Sequence, residues 1–327
     1  MIAHRGASGY RPEHTRAAYE LAIAQGADAV EPDIVPTKDG VLVIRHENEI
    51  SGTTDVASHP EFAERRTTRT VDGEDLTGWF TEDFTWEELA TLRARERLAK
   101  TRPANTRFDG QEPILRLSDL VDILGSAGRP VTMVAELKHA SYFESIGLAL
   151  DERFATEIAG WAQPDNLIVE SFEQRVLGQV QERDVLGRFV FLAEASGAPA
   201  DEVAHNGSDA RPFSDYLTDP GLSRLAAEVD GVSVDKKLIL ARKHDHTVGT
   251  TDLVSRIRDF GLEAYTWTLR AENRFLPKSL RRGIRNRDHG DWMREFQLIM
   301  RTGLDGVFAD QPDLAIEARD ALQRLAH

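Results

Sequence analysis

The chain has 327 residues, of which 41% are hydrophobic, 29% are charged and none is cysteine. This length suits one large barrel or two smaller domains, and the lack of cysteine excludes disulfides, thiol nucleophiles and thiolate zinc sites. The net charge of −15 argues against nucleic acid or an anionic membrane surface as a partner. No apolar run approaches the roughly 20 residues of a membrane helix, so no integral membrane segment is expected.

Short apolar runs typical of β-strands recur along the chain, and segments of helical character separate most of them. The predicted strands are Ile2–His4, Ala29–Val35, Val41–Arg45, Val131–Leu137, Leu167–Ser171, Arg188–Leu192, Gly231–Val234, Ala264–Thr268 and Gly306–Ala309. The predicted helices are Arg16–Ala24, Leu117–Leu124, Ile146–Trp161, Gln174–Arg183, Leu222–Glu228, Asp252–Phe260 and Trp292–Arg301. This alternation predicts a parallel α/β fold.

The turn at Thr37-Lys38-Asp39-Gly40 explains why there is one strand more than an eight-stranded barrel needs. A parallel crossover takes a dozen or more residues, whereas Asp-Gly is a hairpin signal. Folding the chain back here brings His46 opposite Glu31 and Asp33 and leaves eight parallel strands. The sequence therefore predicts a (β/α)8 TIM barrel that forms a single domain over residues 1–327.

Residues 48–112 are polar and turn-rich and interrupt the alternation of strands and helices. They contain one predicted helix, Trp86–Arg97, and follow directly on His46, so they are expected to form an inserted lobe at the mouth of the barrel. Aromatic residues such as Trp79 and Phe84 are interpreted as the small core of this lobe rather than as substrate contacts, because aromatic clusters mostly pack together.

Only Met1-Ile2-Ala3 precede His4, whereas the first strand of such a barrel would normally extend further upstream. We therefore expect a trimmed or processed sequence from which an export signal has been removed. An extracytoplasmic and a cytoplasmic location both stay open, and the sequence carries no signal for an oligomeric state.

Carboxylates at the ends of apolar strands predict a metal site. Glu31 and Asp33 are two residues apart and share one face of a strand, and Glu136 ends a second apolar run. Buried acidic residues are costly unless a cation compensates them, and strand ends converge on one face of a barrel. Glu31, Asp33 and Glu136 are therefore the predicted ligands of one divalent cation. Their oxygen atoms favour Mg²⁺ or Ca²⁺ over zinc.

Two histidines and two cations complete the predicted site. Imidazoles transfer protons near neutral pH, so His4 and His46, each at the end of a separate strand, are the predicted general acid and base. Which is the acid stays open. Arg5 would grip a phosphate bidentately, or pair with Glu13 instead, and Lys138 would contact a phosphate or a carboxylate. Together these groups indicate metal-assisted attack on a phosphate ester.

The order of these motifs resembles that of the glycerophosphodiester phosphodiesterases, in particular the bacterial periplasmic type with an inserted lobe. The resemblance spans nearly the whole chain, although His14 stands where the family usually has Asn. The motifs are His4-Arg5-Gly6, Glu13 with Thr15, Glu31-Pro32-Asp33, the strand that ends in His46, Glu136-Leu137-Lys138, Glu170-Ser171-Phe172, Tyr265-Thr266-Trp267-Thr268 and Phe308-Ala309-Asp310-Gln311-Pro312.

The resemblance implies roles for further residues. Trp267 would contact the glycerol moiety from the floor of the pocket, or would be an ordinary barrel aromatic. Asp310 would orient a histidine or an arginine, or would cap the last turn. Glu13 would be a further metal ligand or an orienting group. His4 and His46 would protonate the leaving alcohol and deprotonate the nucleophile.

The predicted function is hydrolysis of small glycerophosphodiesters, such as glycerophosphocholine, to sn-glycerol 3-phosphate and an alcohol. Either the glycerol hydroxyl attacks first and gives a cyclic phosphate, or water attacks directly. A lysophospholipase D or phospholipase D acting on lysophospholipids with the same site is the alternative enzyme. A barrel that binds a phosphodiester without cleaving it is the alternative from another class.

Overall fold

The computed structural model describes residues 1–243 and 246–325. The strands are β1 (Ile2–His4), β2 (Ala29–Glu31), β3 (Asp33–Pro36), β4 (Leu42–Ile44), β5 (Thr67–Val71), β6 (Glu74–Gly78), β7 (Thr132–Leu137), β8 (Leu167–Ser171), β9 (Arg188–Ala193), β10 (Gly231–Asp235), β11 (Leu240–Lys243), β12 (His246–Thr250), β13 (Glu263–Leu269) and β14 (Gly306–Ala309).

The helices alternate with these strands over most of the chain. They are α1 (Arg16–Ala24), α2 (Trp86–Leu89), α3 (Leu117–Gly125), α4 (Ala140–Ser145), α5 (Leu150–Ile158), α6 (Gln174–Gln181), α7 (Ala200–Asn206), α8 (Phe213–Tyr216), α9 (Asp219–Leu225), α10 (Lys236–Ile239), α11 (Leu253–Asp259), α12 (Trp292–Met300) and α13 (Pro312–Leu325). Within the described residues, no helix is both long enough and apolar enough to cross a bilayer.

The main sheet closes into a barrel of parallel strands. Its order is β2-β1-β14-β13-β10-β9-β8-β7-β3, and β7 also pairs with β2. β2 and β3 are two parts of one strand, interrupted at Pro32, which has no N–H to donate to a ladder. Counting them together gives eight parallel strands, and the predicted TIM barrel is confirmed.

The predicted hairpin is also confirmed. β3 pairs antiparallel with β4, with Ile34 opposite Ile44, and Gly40 adopts a φ of +81°, which favours glycine. The ladder continues as the Arg45 amide donates to the Asp33 carbonyl at 3.0 Å. The next residue, His46, is thereby brought to the carboxylate-bearing end of β2 and β3.

Apolar side chains close the interior of the barrel below its polar end. Ile2, Val134, Ile168, Tyr265 and Phe308 form one buried cluster there. Each such residue contributes about 1.5–3 kcal/mol when fully buried. The helices pack on the outside of the sheet through a second, larger cluster. The barrel is therefore filled at its base, and its open end is left to polar groups.

Residues 48–112, which we call the inserted segment, lie between β4 and α3. The predicted helix Trp86–Arg97 is wrong beyond Leu89, because the chain there turns to backbone pairing: the Ala94 amide donates to the Glu112 carbonyl at 2.8 Å. The hairpin β5–β6 was not predicted, since its strands are largely exposed.

The aromatic residues of the inserted segment are buried, as predicted, but not in a separate small core. Phe84 is fully buried and Trp79 nearly so, and both belong to the cluster that also holds the barrel helices. The indole of Trp79 donates a hydrogen bond to the Phe62 carbonyl at 2.7 Å. The inserted segment is therefore packed continuously against the barrel.

Candidate active site

A cavity of about 940 Å³ opens at the carboxyl ends of the barrel strands. This is the end at which active sites of this architecture occur. Most of the predicted site residues line the cavity, and they are His4, Arg5, Glu31, His46, Glu136, Lys138 and Trp267. The other predicted site residues contact the residues that line the cavity, and they are Glu13, Asp33 and Asp310. The fold therefore brings the predicted site together.

Three buried glutamates converge at the base of this cavity. Glu31 on β2, Glu136 on β7 and Glu170 on β8 each place one carboxylate oxygen within 4.8 Å of the other two. Burial, together with the neighbouring negative charges, raises the pKa of Glu136 to about 8 and those of Glu31 and Glu170 well above their usual range. Such a cluster is costly without a cation, and its oxygen atoms suit a hard divalent ion.

Glu170 is a member of this cluster that sequence reasoning did not select as a site residue. It ends an apolar strand just as Glu136 does, and the two are directly opposite in the parallel pairing of β7 and β8. Its Oε2 is buried and has no hydrogen-bond partner among the described residues. The signal that could have found it was the repeated pattern of a glutamate at the end of an apolar run.

Asp33 lies beside the three glutamates, opposite Glu136 in the pairing of β3 and β7. Its Oδ2 is 2.8 Å from His14 Nε2 and 3.3 Å from Arg5 Nε. Although burial acts to raise it, the pKa of Asp33 is held well below its usual value by the nearby His46 and Arg5. Its Oδ1 is buried without a hydrogen-bond partner in the described chain and lies 3.9 Å from Lys138 Nζ, so only a loose ion pair competes with a ligand for this oxygen.

His4 is oriented by Asp310, which lies 306 residues further along the chain. The His4 Nδ1 lies 2.6 Å from Asp310 Oδ1. Despite burial, the arginines around Asp310 hold its pKa well below the usual range, so this carboxylate accepts and His4 Nδ1 carries the proton. Burial, with the charge of Arg5, lowers the pKa of His4 to about 4. His4 is therefore neutral at pH 7, with the lone pair on Nε2.

His46 has the same arrangement with its chain neighbour. Its Nδ1 lies 2.5 Å from Glu47 Oε1, and its Nε2 is 3.4 Å from Lys138 Nζ. Burial and the charges of Arg5 and Lys138 lower the pKa of His46 to about 3. Both histidines thus have Nδ1 fixed by a carboxylate, and Nε2 is left for proton transfer, with only a long contact to Lys138 at His46.

Two cations lie between the histidines and the carboxylates. Lys138 Nζ donates to Glu136 Oε1 at 2.8 Å. Arg5 Nη1 donates to Glu13 Oε2 at 3.2 Å. Arg5 therefore forms the predicted pair with Glu13, and its side chain also lines the cavity. The Arg5 amide donates to Glu31 Oε2 at 2.8 Å. These groups place positive charge where an anionic phosphate would enter.

The upper wall of the cavity is aromatic. Trp267 is half-buried and meets Phe172 edge-to-face at 5.6 Å, and Phe172 in turn meets Phe213 at 6.1 Å. The indole nitrogen of Trp267 has no hydrogen-bond partner within the described part of the chain. An apolar or partly polar group of a substrate could therefore rest against this wall.

Comparison with known proteins gives one consistent family. The model of the glycerophosphoryl diester phosphodiesterase family matches residues 4–314. A glycerophosphodiester phosphodiesterase from Arabidopsis thaliana is 30% identical over 320 residues, which is 94% of this chain and 82% of that protein. One from Treponema pallidum is 27% identical and covers 97% of this chain and 90% of its own length.

Solved structures show the same fold. A glycerophosphoryl diester phosphodiesterase from Silicibacter pomeroyi superposes with a TM-score of 0.67 at 20% identity, covering 98% of this chain and 93% of its own. A phosphodiesterase from Oleispira antarctica, solved with the product sn-glycerol 3-phosphate, superposes at 0.61 and 20% identity, covering 98% and 96%. At this identity the two structures support the barrel assignment alone.

Proposed function

Since this chain belongs to the glycerophosphoryl diester phosphodiesterase family and is a phosphoric diester hydrolase, we propose that it hydrolyses small glycerophosphodiesters to sn-glycerol 3-phosphate and an alcohol. Glycerophosphocholine is a representative substrate. The observation that carries the proposal is a single cavity holding two histidines, each with its Nδ1 fixed by a carboxylate, beside three converging glutamates.

We propose that one divalent cation, Ca²⁺ or Mg²⁺, binds at these carboxylates. Glu31, Asp33 and Glu136 would hold it, with Glu170 as a further ligand. This set is supported by one oxygen of Asp33 and one of Glu170 that take part in no hydrogen bond within the described residues. When bound, the cation would withdraw charge from a nonbridging phosphoryl oxygen and from the glycerol hydroxyl.

The side chains supply the remaining chemistry. One of His4 and His46 accepts the proton of the nucleophile through Nε2, and the other donates a proton to the leaving alcohol oxygen. The nucleophile is either the glycerol hydroxyl, with a cyclic phosphate that water then opens, or water itself. Arg5 and Lys138 neutralise the phosphoryl oxygens, and the phosphate charge raises the pKa of whichever histidine must be protonated.

A lysophospholipid is the second candidate substrate. The cavity of about 940 Å³ is near the top of the range of roughly 300–1,000 Å³ that holds drug-sized ligands, and a small diester would leave part of it empty. The aromatic wall of Phe172, Phe213 and Trp267 offers an apolar surface for the start of an acyl chain.

The test is release of glycerol 3-phosphate from glycerophosphocholine with EDTA, and after Ca²⁺, Mg²⁺ or Mn²⁺ is restored. Turnover that EDTA abolishes and one ion restores would support the reaction and the carboxylate site together. Release of choline from lysophosphatidylcholine, at a higher kcat/KM than from glycerophosphocholine, would favour the second candidate. Both substrates recovered intact with every ion would leave a binding protein.

A further inference from the structure

We propose that two arginines of the inserted segment, Arg97 and Arg102, hold both histidines in their working orientation. Arg97 acts through Glu47 on His46, and Arg102 acts through Asp310 on His4. The proposal rests on the proposed roles of these histidines in proton transfer. It makes the inserted segment part of the active site, although the barrel alone supplies the histidines and their carboxylates.

The contact between Arg97 and Glu47 is bidentate. Arg97 Nη1 donates to Glu47 Oε1 at 2.6 Å and Nη2 donates to Oε2 at 2.5 Å. The same Oε1 is the oxygen that lies against His46 Nδ1. A fork of two parallel hydrogen bonds fixes the plane of a carboxylate. The plane of Glu47 in turn fixes which imidazole nitrogen carries the proton and where Nε2 lies.

Arg97 also binds a second carboxylate. Its Nε and Nη2 donate to Glu13 at 2.8 and 2.7 Å, and Glu13 is the partner of Arg5. One guanidinium therefore joins the predicted phosphate contact to the predicted proton carrier. Arg97 and Glu47 are only 27% and 29% exposed, so the charge of Glu47 would be poorly solvated without the arginine.

Arg102 supports His4 through Asp310, in the same way that Arg97 supports His46 through Glu47. Its Nη2 donates to Asp310 Oδ2 at 2.6 Å, while Asp310 Oδ1 holds His4 Nδ1. Its Nε donates to Glu272 at 2.6 Å. Asp310 has a second arginine, Arg270, at 2.7 Å. Loss of Arg102 is therefore expected to disturb its histidine less than loss of Arg97.

The two arginines come from one turn of the chain. The amides of Thr101 and Arg102 both donate to the Leu98 carbonyl at 2.7 Å, which sets the side chains of residues 97 and 102 at the two ends of a compact loop. A single local structure outside the barrel thus supports both proposed proton carriers, of which His4 ends β1 and His46 lies just beyond β4.

The first experiment measures kcat and KM for glycerophosphocholine, with the activating ion present, in Arg97→Gln, Glu47→Gln and the double variant. Either single change should lower kcat by roughly 10- to 100-fold, the usual effect of losing a residue that orients a histidine. The double variant should lose no more kcat than Glu47→Gln alone, since both act through His46. KM should rise only where Arg97 is changed, because of its link to Glu13 and Arg5.

The matched control is Arg65→Gln. Arg65 also lies in the inserted segment, is 33% exposed, and forms a fork with one carboxylate, Glu88, which lies outside the cavity. This variant should lose stability and keep kcat within twofold. The inference is overturned if Arg97→Gln behaves like this control, or if the kcat losses of Arg97→Gln and Glu47→Gln multiply.

Histidine-selective ¹⁵N NMR gives a readout that does not depend on turnover. The His46 signals, assigned with His46→Asn, should show a proton on Nδ1 in the unchanged protein and a mixture of tautomers in Arg97→Gln. In Arg102→Gln the His4 signals, assigned with His4→Asn, should also show a second tautomer, but less of it, because Arg270 still binds Asp310. Unchanged His4 signals in Arg102→Gln would refute the role of Arg102. A protein without any phosphodiesterase turnover would refute the proposed function alone. His46 signals that stay unchanged in Arg97→Gln would refute this inference alone.

Discussion

A neutral imidazole can accept a proton at Nε2 only while Nδ1 carries the ring proton. The structure favours this tautomer in both His4 and His46 by the same means. Asp310 and Glu47 each hold an Nδ1, at 2.6 and 2.5 Å. Both carboxylates stay ionised, because neighbouring arginines and the histidines themselves keep their pKa values low even though burial opposes this. The proposed proton transfer at each histidine therefore depends on a histidine–carboxylate pair rather than on a single residue.

We expect His4→Ala and His46→Ala each to lower kcat by roughly 100- to 10,000-fold, the range contributed by a positioned acid or base. His59→Ala is the matched control, because His59 also contacts carboxylates but lies outside the cavity. Initial rates of glycerol 3-phosphate release measure the effect, and circular dichroism checks the fold. More than a tenth of the activity remaining in either variant would contradict the assigned roles.

Glu170→Gln tests the metal cluster at the glutamate that was not among the ligands predicted from the sequence. Removing one ionisable carboxyl from this crowded buried cluster should stabilise the metal-free protein on the alkaline side by about 1 kcal/mol, seen in a chain of this length as a rise in Tm of about 1–2 °C. The same change should weaken cation affinity about tenfold or more, measured by titration calorimetry. Glu20→Gln, at an exposed glutamate, should do neither. Unchanged affinity would remove Glu170 from the ligand set.

At the scale of elements, the strands of the barrel were predictable because each is a short apolar run between turn signals. The hairpin at Gly40 was predictable because an Asp-Gly turn separates two apolar runs. An Asp-Gly turn also joins β5 and β6, and both of its residues have positive φ, yet this hairpin was missed. Its strands bury little on either face, so no apolar alternation marks them.

Helix boundaries and the inserted segment were less predictable, for tertiary reasons. The predicted helix Ile146–Trp161 begins only at Leu150, after a separate helix α4 and a positive φ at Gly147. Arg97 binds Glu47, which is 50 residues away in the sequence, and Arg102 binds Asp310, which is 208 residues away. Sequence motifs marked the histidines and most of the carboxylates of the candidate site, whereas the two arginines that bind those carboxylates stood in no motif.

Gly6 shows how closely α1 approaches the residues of the site. Its φ is +78°, and a Cβ there would lie 2.7 Å from the Ala18 backbone carbon. Gly110 has almost the same φ, +77°, but open space around it. Gly110→Ala should therefore cost only backbone strain, about 1 kcal/mol, and Gly6→Ala about 2 kcal/mol or more beyond that. Urea unfolding measures the free energy of unfolding of both variants. Equal losses would mean that α1 moves away from the added methyl group at little cost.

At the scale of the whole molecule, the titrating groups of the site lower the stability of the fold at opposite ends of the pH range. Burial lowers the pKa of His4 to about 4, so its contribution to stability is present above pH 6.5 and is lost as the pH falls through 4. Burial raises the pKa of Glu136 to about 8, so its contribution is present below pH 4.5 and is lost as the pH rises through 8.

We therefore expect the Tm of the protein in EDTA to fall on both the acidic and the alkaline side, and a divalent cation to remove the alkaline fall. A cation binds the ionised carboxylates and so replaces the protons that they would otherwise retain. Thermal unfolding between pH 4 and 9, with EDTA and with Ca²⁺ or Mg²⁺, measures this. Curves that run parallel over the whole range would contradict a cation at the glutamate cluster.

The pairing of the first strand with the last has a consequence for synthesis of the protein. β1 joins β14, and His4 depends on Asp310, which is 306 residues further along the chain. A ribosome therefore makes His4, the proposed proton carrier, 306 residues before it makes the carboxylate that orients this histidine. A nascent chain has both histidines and all of the proposed metal ligands long before it has Asp310. His4 can therefore reach its oriented state only after Asp310 has been synthesised and β14 has paired with β1 to close the barrel.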